Sequence, residues 1–345
     1  MPPPKNLRKF NPLERTRLAQ LPSNALPYSL EWEEKGDAPR VERPKYAGSG
    51  FAFADVPAKY RPADVPGPAS ILVAGLDIFH LLVLTDETSR VEGSVMTALA
   101  GASAIGSPPI INHGTEEQKQ KWLPGLFDFE TSFCLGITES SGGSDVANTQ
   151  ATAKKTPDGK SYVGFSWRRI PNSRQKAGRA SLIELDHALE RFVMSVGCNR
   201  KPGTCLSTSV AFAHTRHTFG KPLISNQIIS HKIATIARYV ESHQAWLEQL
   251  AYHIQKSPLG WQDPEIADQI ALSKVHGGRI LEMANREAQQ ALSGAGYQRG
   301  GLGASIEQIS RDLRMIVVSG GSEEIIADLA VRQETALAKK RGWNL

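Results

Sequence analysis

Two stretches of the sequence carry residue types whose spacing suits a phosphate-bearing small ligand. Residues 137–147, ITESSGGSDVA, follow a short apolar run with a glycine-rich turn, where backbone amides and Ser144 could form a cradle. Arg216 opens the stretch RHTFGKPLISNQ and could pair with a phosphate through charge-assisted hydrogen bonds. Taken alone, such a turn is more often an ordinary hairpin and such an arginine a solvated surface residue.

Other residues suggest chemistry that their context argues against. His214 and His217 lie three residues apart, with His231 further on, but no carboxylate accompanies them at metal-ligand spacing. We therefore expect no metal site. Gly294 and Gly296 in SGAGY are similar to a dinucleotide-binding turn, which requires a preceding strand and a following helix. Because these glycines end a long helical pattern, we interpret them as a helix C-terminus.

The composition describes a globular chain that can bury a sizeable core. Of its 345 residues 40% are hydrophobic, and the net charge of +5 comes from 40 basic and 35 acidic residues spread along the chain. No block of like charge marks a nucleic-acid-binding arm, so nucleic acid is disfavoured as a partner. Three cysteines without metal-ligand spacing indicate packing roles and a reducing compartment. We expect an intracellular protein, cytoplasmic or mitochondrial, with no membrane span.

The first part of the chain, which must help to position these residues, divides into two regions. Residues 1–68 are rich in proline, glycine and charge, which predicts a loosely ordered segment. Residues 69–130 predict a domain of buried helices, in which Thr115 caps a short helix that runs to Trp122.

The second half of the chain predicts strands and then a bundle. In residues 131–181 the apolar run at 133–138 predicts a buried strand, and alternation around the Pro-Asp-Gly turn at 157–159 predicts a hairpin. In residues 182–345 apolar residues recur at helical spacing in three long segments and a last shorter one, which favours a four-helix bundle. The predicted fold is mainly α.

Four stretches, taken together and in their order along the chain, carry a family resemblance. They are ITESSGGSDVA (137–147), RHTFGKPLISNQ (216–227), QALSGAGY (290–297) and GGSEEI (320–325). They resemble the FAD-dependent acyl-CoA dehydrogenases, as does the helical segment NHGTEEQKQKWLPGL at 112–126. The resemblance covers residues 75–340 and implies N-terminal helices, a middle β-domain and a C-terminal four-helix bundle.

The resemblance also implies a function and a set of contacts. It implies oxidation of an acyl-CoA thioester to the trans-2-enoyl form, in fatty or branched acyl-CoA oxidation, with electrons passing to an external acceptor such as an electron-transfer flavoprotein. A homodimer or homotetramer would complete the FAD site. Ser144 and Arg191 would contact the substrate. The implied cofactor contacts are Thr138, Ser144, Arg216, Phe219, Gln227, Gln290, Gly294, Ser322 and Glu324.

The reaction requires a carboxylate near the α-carbon of the thioester and donors on the thioester oxygen. Much of the family places the base before the C-terminal turn, where this chain has Gly320, which cannot take a proton. One branch, including the isovaleryl and long-chain enzymes, takes it instead from a Glu-Arg pair on the first bundle helix. By that resemblance Glu190, followed by Arg191, is the predicted base, and the N–H of Gly320 would polarise the carbonyl. The alternative for Glu190 is an ordinary surface glutamate.

The sequence departs from the family pattern in its middle. Only 45 residues separate Ser144 from Glu190, where the family carries a β-domain of more than a hundred, so a truncated β-domain is predicted. A second conflict is Pro202 inside the first bundle helix, which costs about 3 kcal/mol unless the helix kinks. Three alternatives therefore stay open: an active dehydrogenase, an acyl-CoA oxidase that uses oxygen, and a catalytically impaired or flavin-free helical scaffold.

Overall fold

The computed structural model of the protein describes residues 28–36, 41–67, 75–91, 99, 105–134, 136–139, 142–148, 150–159, 162–165 and 180–343. All structural statements refer to these residues. The α-helices are α1 (Ser29–Lys35), α2 (Glu42–Gly48), α3 (Ile78–Thr88), α4 (Pro108–His113), α5 (Glu116–Trp122), α6 (Ala180–Thr215), α7 (Gln227–Lys256), α8 (Pro264–Leu292), α9 (Ala304–Val318) and α10 (Glu323–Lys340). The strands are β1 (Thr152–Lys155), β2 (Tyr162–Phe165), β3 (His217–Thr218) and β4 (Lys221–Pro222).

The short helix predicted after Thr115 is confirmed, together with its cap. The Thr115 hydroxyl accepts from the N–H of Gln118 at 3.2 Å, and the Gln118 side chain accepts from the N–H of Thr115 at 2.9 Å. This reciprocal pair is a capping box, which satisfies two helix-end donors at once. It fixes where α5 begins.

The prediction of a loosely ordered segment over residues 1–68 is wrong for its described part. Trp32, Phe51, Phe53 and Tyr60 are each at most 6% exposed, and Phe53 packs edge to face on Phe127. Prolines between short helices produced the appearance of disorder, but the intervening aromatic side chains supply enough apolar area to order the segment. Residues 1–27 and 37–40 lie outside the described part.

The predicted hairpin is confirmed as β1 paired antiparallel with β2, with Thr152 opposite Phe165 and Lys155 opposite Tyr162. Gly159 lies in its turn at φ 70°, a conformation that glycine adopts without strain.

The strand predicted at 133–138 is wrong, because the described residues of that stretch form no strand. Residues 166–179, where the sequence pattern collapses, lie outside the described part.

The C-terminal region is a helical bundle centred on α8, which packs against α6, α7, α9 and α10. The four predicted helical segments are present as α6, α7, α8 and α10, and α9 adds a fifth helix. Pro202 lies inside α6 without ending it. Cys198 and Cys205 on either side of it are fully buried, so packing of the flanking turns compensates for the lost backbone hydrogen bond.

Two further observations concern the chain as a whole. None of the described helices combines the length and apolar character that crossing a bilayer requires. Cys198 and Cys205 lie in the bundle core, which agrees with packing roles, whereas Cys134 is exposed, which corrects that prediction for this residue.

Candidate active site

Arg191 on α6 links the first bundle helix to the turn between α9 and α10. Its Nε donates to the carbonyl oxygen of Gly320 at 3.3 Å, across 129 residues of sequence. Glu190, the residue before it, is half-buried at the same level of α6. The structure therefore brings the predicted base helix and the predicted carbonyl-binding turn together.

The backbone of this turn explains why position 320 carries no side chain. Gly320 has φ 67° and Gly321 has φ 110°, conformations that side chains rarely adopt. A Cβ at Gly320 would lie 2.8 Å from Sδ of Met194. Among the described residues the N–H of Gly320 has no acceptor, so it is free to donate to a ligand. The turn thus offers a backbone donor and disfavours any side chain, including a glutamate, at this position.

Lys274 on α8 is a site residue that the sequence analysis missed. It is 1% exposed, and its Nζ donates to the carbonyls of Val317 and Gly321, both at 2.6 Å. Burial lowers its pKa, and Glu190 opposes this shift, so the two side chains are within electrostatic range of each other. The signal in the sequence was a lysine at the spacing of an apolar stripe, between Ile270 and Leu281.

The glycine-rich turn after residue 136 is held by its own backbone and by the hairpin that follows. Glu139 and Gly142 exchange backbone hydrogen bonds at 2.9 and 3.1 Å, and the Glu139 carboxylate accepts from the N–H groups of Gln150 and Ala151. Thr138 and Ser144, the predicted cofactor and substrate contacts, are both exposed. The turn can therefore present a hydroxyl and backbone amides to a ligand.

The predicted phosphate-binding stretch forms a tight hairpin that projects from the bundle. The N–H of Leu223 donates to the Arg216 carbonyl at 2.7 Å, and β3 pairs with β4. Phe219 and Gly220 occupy the tip with φ 52° and 78°, and Phe219 is 99% exposed. Arg216 is also exposed. Both side chains are available to a second molecule.

An open groove of 530 Å³ runs between α7 and α8 next to this hairpin. It is lined by Gln227, Ile228, His231, Lys232, Thr235, Met283 and Glu287. Lys232 and Glu287 form an ion pair across it. Gln290, one helical turn beyond Glu287, is exposed, and Gly294 follows the end of α8. The structure thus gathers Gln227 and the end of α8 on the side of the bundle that carries the hairpin.

The end of α8 agrees with the prediction that SGAGY terminates a helix. The chain leaves α8 at Leu292, and Ser293, the residue that follows, has a positive φ of 53°. Gly296 is buried, and a Cβ on it would lie 3.1 Å from the backbone of Gln289. Gly294 has no atom within 4 Å of such a Cβ, which leaves open space beside it.

The last two predicted cofactor contacts begin α10. Ser322 is the N-cap residue of that helix, and Glu324 lies in its first turn. Glu324's own backbone N–H and the Ser322 hydroxyl both hydrogen-bond its carboxylate and lower its pKa. The Ser322 side chain makes no capping hydrogen bond to α10, and Glu324 is exposed to solvent.

The histidines considered as metal ligands are dispersed. His214, His217 and His231 are exposed, and in the part of the chain that the structure describes no three His, Cys, Asp or Glu side chains come close enough to hold an ion.

Comparison with known proteins agrees with this architecture. The family model for the "Acyl-CoA dehydrogenase, N-terminal domain" matches residues 17–130. The family model for the "Acyl-CoA dehydrogenase, C-terminal domain" matches residues 180–334. The match begins well before residue 75, so the resemblance extends further toward the N-terminus than the four stretches indicated. The two matched ranges leave residues 131–179 between them.

Two fungal proteins are similar over most of their length. An acyl-CoA dehydrogenase of Alternaria alternata is 30% identical over 379 aligned positions, covering 90% of this chain and 87% of that protein. An acyl-CoA dehydrogenase of Emericella nidulans is 28% identical, covering 93% and 90%. The first alignment is longer than the 345 residues of this chain, so it includes positions that this chain lacks. The chain belongs to the acyl-CoA dehydrogenase family of oxidoreductases.

A solved acyl-CoA dehydrogenase from Bacillus anthracis, complexed with FAD, has the same fold at 20% identity. The TM-score is 0.79, and the match covers 97% of this chain and 69% of that chain. Acyl-CoA dehydrogenases bind FAD, and three of the predicted cofactor contacts, Arg216, Phe219 and Gln290, are exposed. The described middle region contains the β1–β2 hairpin, consistent with a truncated middle domain.

Proposed function

We propose that the protein catalyses FAD-dependent α,β-dehydrogenation of an acyl-CoA thioester to the trans-2-enoyl-CoA. The observation that carries this proposal is the hydrogen bond from Arg191 to the carbonyl of Gly320, because it joins a helix bearing a carboxylate to a turn bearing an available N–H. A thioester placed between them would present its α-carbon to Glu190 and its oxygen to Gly320.

In this mechanism Glu190 removes the α-proton of the substrate. The developing negative charge on the thioester oxygen is stabilised by the N–H of Gly320, which is held in place before substrate arrives. Arg191 keeps the turn against α6 through its hydrogen bond to the Gly320 carbonyl. The bound FAD supplies the acceptor for the hydride that leaves the β-carbon.

The remaining predicted contacts divide between two faces. Thr138 and Ser144 present hydroxyl groups from one turn, and Ser144 also suits the pantetheine arm of the substrate. Arg216, Gln227 and Gln290 lie on the exposed face of the bundle that carries the Phe219 hairpin. We infer that this face contacts cofactor bound by a second copy of the chain, so that a homodimer or homotetramer completes each site. Electrons would then leave to an external acceptor such as an electron-transfer flavoprotein.

The direct test is anaerobic bleaching of the flavin by a panel of acyl-CoAs of different chain length and branching. Wild-type protein should bleach with at least one of them, and Glu190→Gln should slow the reduction by at least about 10²-fold while still binding the thioester. Glu241→Gln, an exposed glutamate on α7, is the matched control and should reduce at the wild-type rate. Undiminished reduction in Glu190→Gln would remove Glu190 from the mechanism.

A flavin-free scaffold is the second candidate, and it is favoured by the small β-structure of the described middle region, a single two-stranded hairpin between residues 150 and 165. The colour of the purified protein separates the two. A yellow preparation, or one that turns yellow and retains added FAD on a desalting column, supports the dehydrogenase. A colourless one that does not take up FAD supports the scaffold. Reduced flavin that is reoxidised rapidly by air would instead indicate an oxidase.

A further inference from the structure

A buried lysine holds both ends of the turn that contains Gly320. Lys274 lies on the central helix α8, and its Nζ donates to the carbonyl of Val317, in the last turn of α9, and to that of Gly321, directly before the N-cap of α10. At 1% exposure it is removed from water almost completely. Burying an ammonium is expensive unless hydrogen bonds compensate, so these two short bonds are what allow the charge to remain there.

The turn itself has few other means of holding its shape. Gly320 and Gly321 have no side chains to pack, and their positive φ angles lie in a region where glycine moves freely. Arg191 from α6 binds the carbonyl of Gly320, directly before the Gly321 carbonyl that Lys274 binds. Two cations from two different helices therefore fix three carbonyls that are close in sequence. The N–H of Gly320 belongs to the Ser319–Gly320 peptide unit, which lies between the bound carbonyl of Val317 and those of Gly320 and Gly321, so holding the chain on both sides restricts the direction of this N–H.

We propose that Lys274 is a positioning residue that aims the N–H of Gly320 at the thioester oxygen of the substrate. This inference rests on the proposed function, since it concerns the donor that the dehydrogenation requires. Preorganised donors accelerate a reaction because they need no reorientation as charge develops. Lys274 does not touch the substrate; it acts through the backbone it binds.

A purely structural role is the competing explanation, because Lys274 also caps the C-terminus of α9. The two roles differ in what they do to a bound thioester. A cap contributes stability, and its loss lowers the melting temperature without changing the polarisation of a ligand in protein that remains folded. A positioning residue changes that polarisation directly.

The test uses cinnamoyl-CoA, a conjugated thioester that cannot be dehydrogenated and whose ultraviolet band moves to longer wavelength when its carbonyl oxygen accepts hydrogen bonds. The full-length protein loaded with FAD is titrated with it as wild type, Lys274→Met and Lys274→Gln. Gln keeps a neutral donor and serves if the Met variant does not fold. Arg279→Met is the matched control, since it removes another α8 cation, one that binds the Glu323 side chain and not the turn.

Wild type and Arg279→Met should show the same red shift. Lys274→Met should lose more than half of it and should reduce its flavin with substrate roughly 10²-fold more slowly, the penalty expected when a catalytic group is misplaced by about 1 Å. A full red shift in a folded Lys274 variant would overturn the positioning role while leaving the dehydrogenase intact. A wild-type protein that binds cinnamoyl-CoA without any shift would overturn the proposed function itself.

Discussion

The guanidinium of Arg311 donates from Nη2 to Oε2 of Glu33 at 3.0 Å, although the two residues are 278 positions apart. Glu33 also accepts from the Gln308 side chain at 2.8 Å, so α1 is fastened to α9 by adjacent polar contacts. Both charged side chains are 27% exposed. The N-terminal segment thereby becomes part of the C-terminal bundle.

Removal of this contact should lower stability measurably. We expect Glu33→Ala to reduce the free energy of unfolding by about 1.5–3 kcal/mol, because it removes the charged acceptor of the buried Gln308 amide and one of the two carboxylates that Arg311 binds, the other being that of Glu307. Chemical denaturation followed by circular dichroism measures this. Arg332→Met is the control: its ion pair with Asp328 is about two-thirds exposed on both sides, so the loss should stay below about 1 kcal/mol. Equal losses in the two variants would show that the α1 contact is no stronger than a surface pair.

The core of the bundle should make stability depend on pH through His243. Burial, together with the nearby His276, lowers the pKa of this residue to about 3. Its Nδ1 lies 3.1 Å from Oδ1 of Asn199, and its Nε2 lies 3.2 Å from Oγ of Ser195. The unfolded chain takes up a proton near pH 6.5 and the folded chain does not, so this contribution is present above that pH and is lost progressively toward pH 3.

Between pH 7 and pH 5 the loss due to His243 should be at most about 2 kcal/mol. The measurement is denaturant unfolding of wild type and His243→Gln at both values. Asp86, whose pKa burial raises to about 6, titrates in the opposite sense, so the informative quantity is the difference between wild type and variant. His243→Gln should be less stable at pH 7 and should lose less on acidification. An identical pH dependence in both proteins would refute the assignment.

The conformation of Gly320 predicts that a side chain at this position destabilises the turn. Gly320→Ala should cost about 1–2 kcal/mol, because φ is 67° and the added Cβ would lie 2.8 Å from Met194. It should also slow flavin reduction by displacing the N–H. Gly48→Ala provides the control, since it has no atom within 4 Å of the new Cβ, and thermal unfolding should detect no loss there. A Gly320→Glu variant should likewise fail to restore activity to Glu190→Gln.

The hairpin tip predicts an effect on cofactor retention without an effect on the fold. Phe219 is 99% exposed, so Phe219→Ala removes almost no contact within one chain and should leave the melting temperature of the apoprotein unchanged. Retention of FAD after gel filtration should fall. Tyr252→Ala, half-exposed on the far part of α7, should retain FAD as wild type does. Full retention by Phe219→Ala would argue against the role of this face.

Local signals predicted local structure well. The Thr115 cap, the turn at 157–159 and the helical stripes of the bundle depend on residues within a few positions of one another, and the structure contains all three. The packing of Trp32 and Phe51 escaped prediction because their partners are distant in sequence. An apolar residue in a proline-rich stretch gives no periodicity that would reveal them.

In the candidate site, too, the features that depend on nearby residues could be predicted, and those that depend on distant residues could not. The order of the motifs predicted Glu190 and Arg191 on the first bundle helix and Gly320 in the turn near the C-terminus, and the structure has them there. The hydrogen bond between Arg191 and Gly320 depends on tertiary packing and is compatible with that prediction. Lys274 was missed because lysine is seldom buried. Its position on an apolar stripe indicates burial only once the carbonyls of Val317 and Gly321 are known to accept its hydrogen bonds. Distances between distant elements are decided by packing, which one sequence does not display.

The hairpin formed by β3 and β4 holds Phe219 in solvent, where the rest of its own chain does not cover it. If two copies of the chain share the contacts to one FAD in this way, the fraction of chains that hold FAD depends on how many chains are associated. Dilution that separates the copies would release FAD from chains whose folding is unchanged, and the yellow colour of a solution would fade faster than its protein concentration falls.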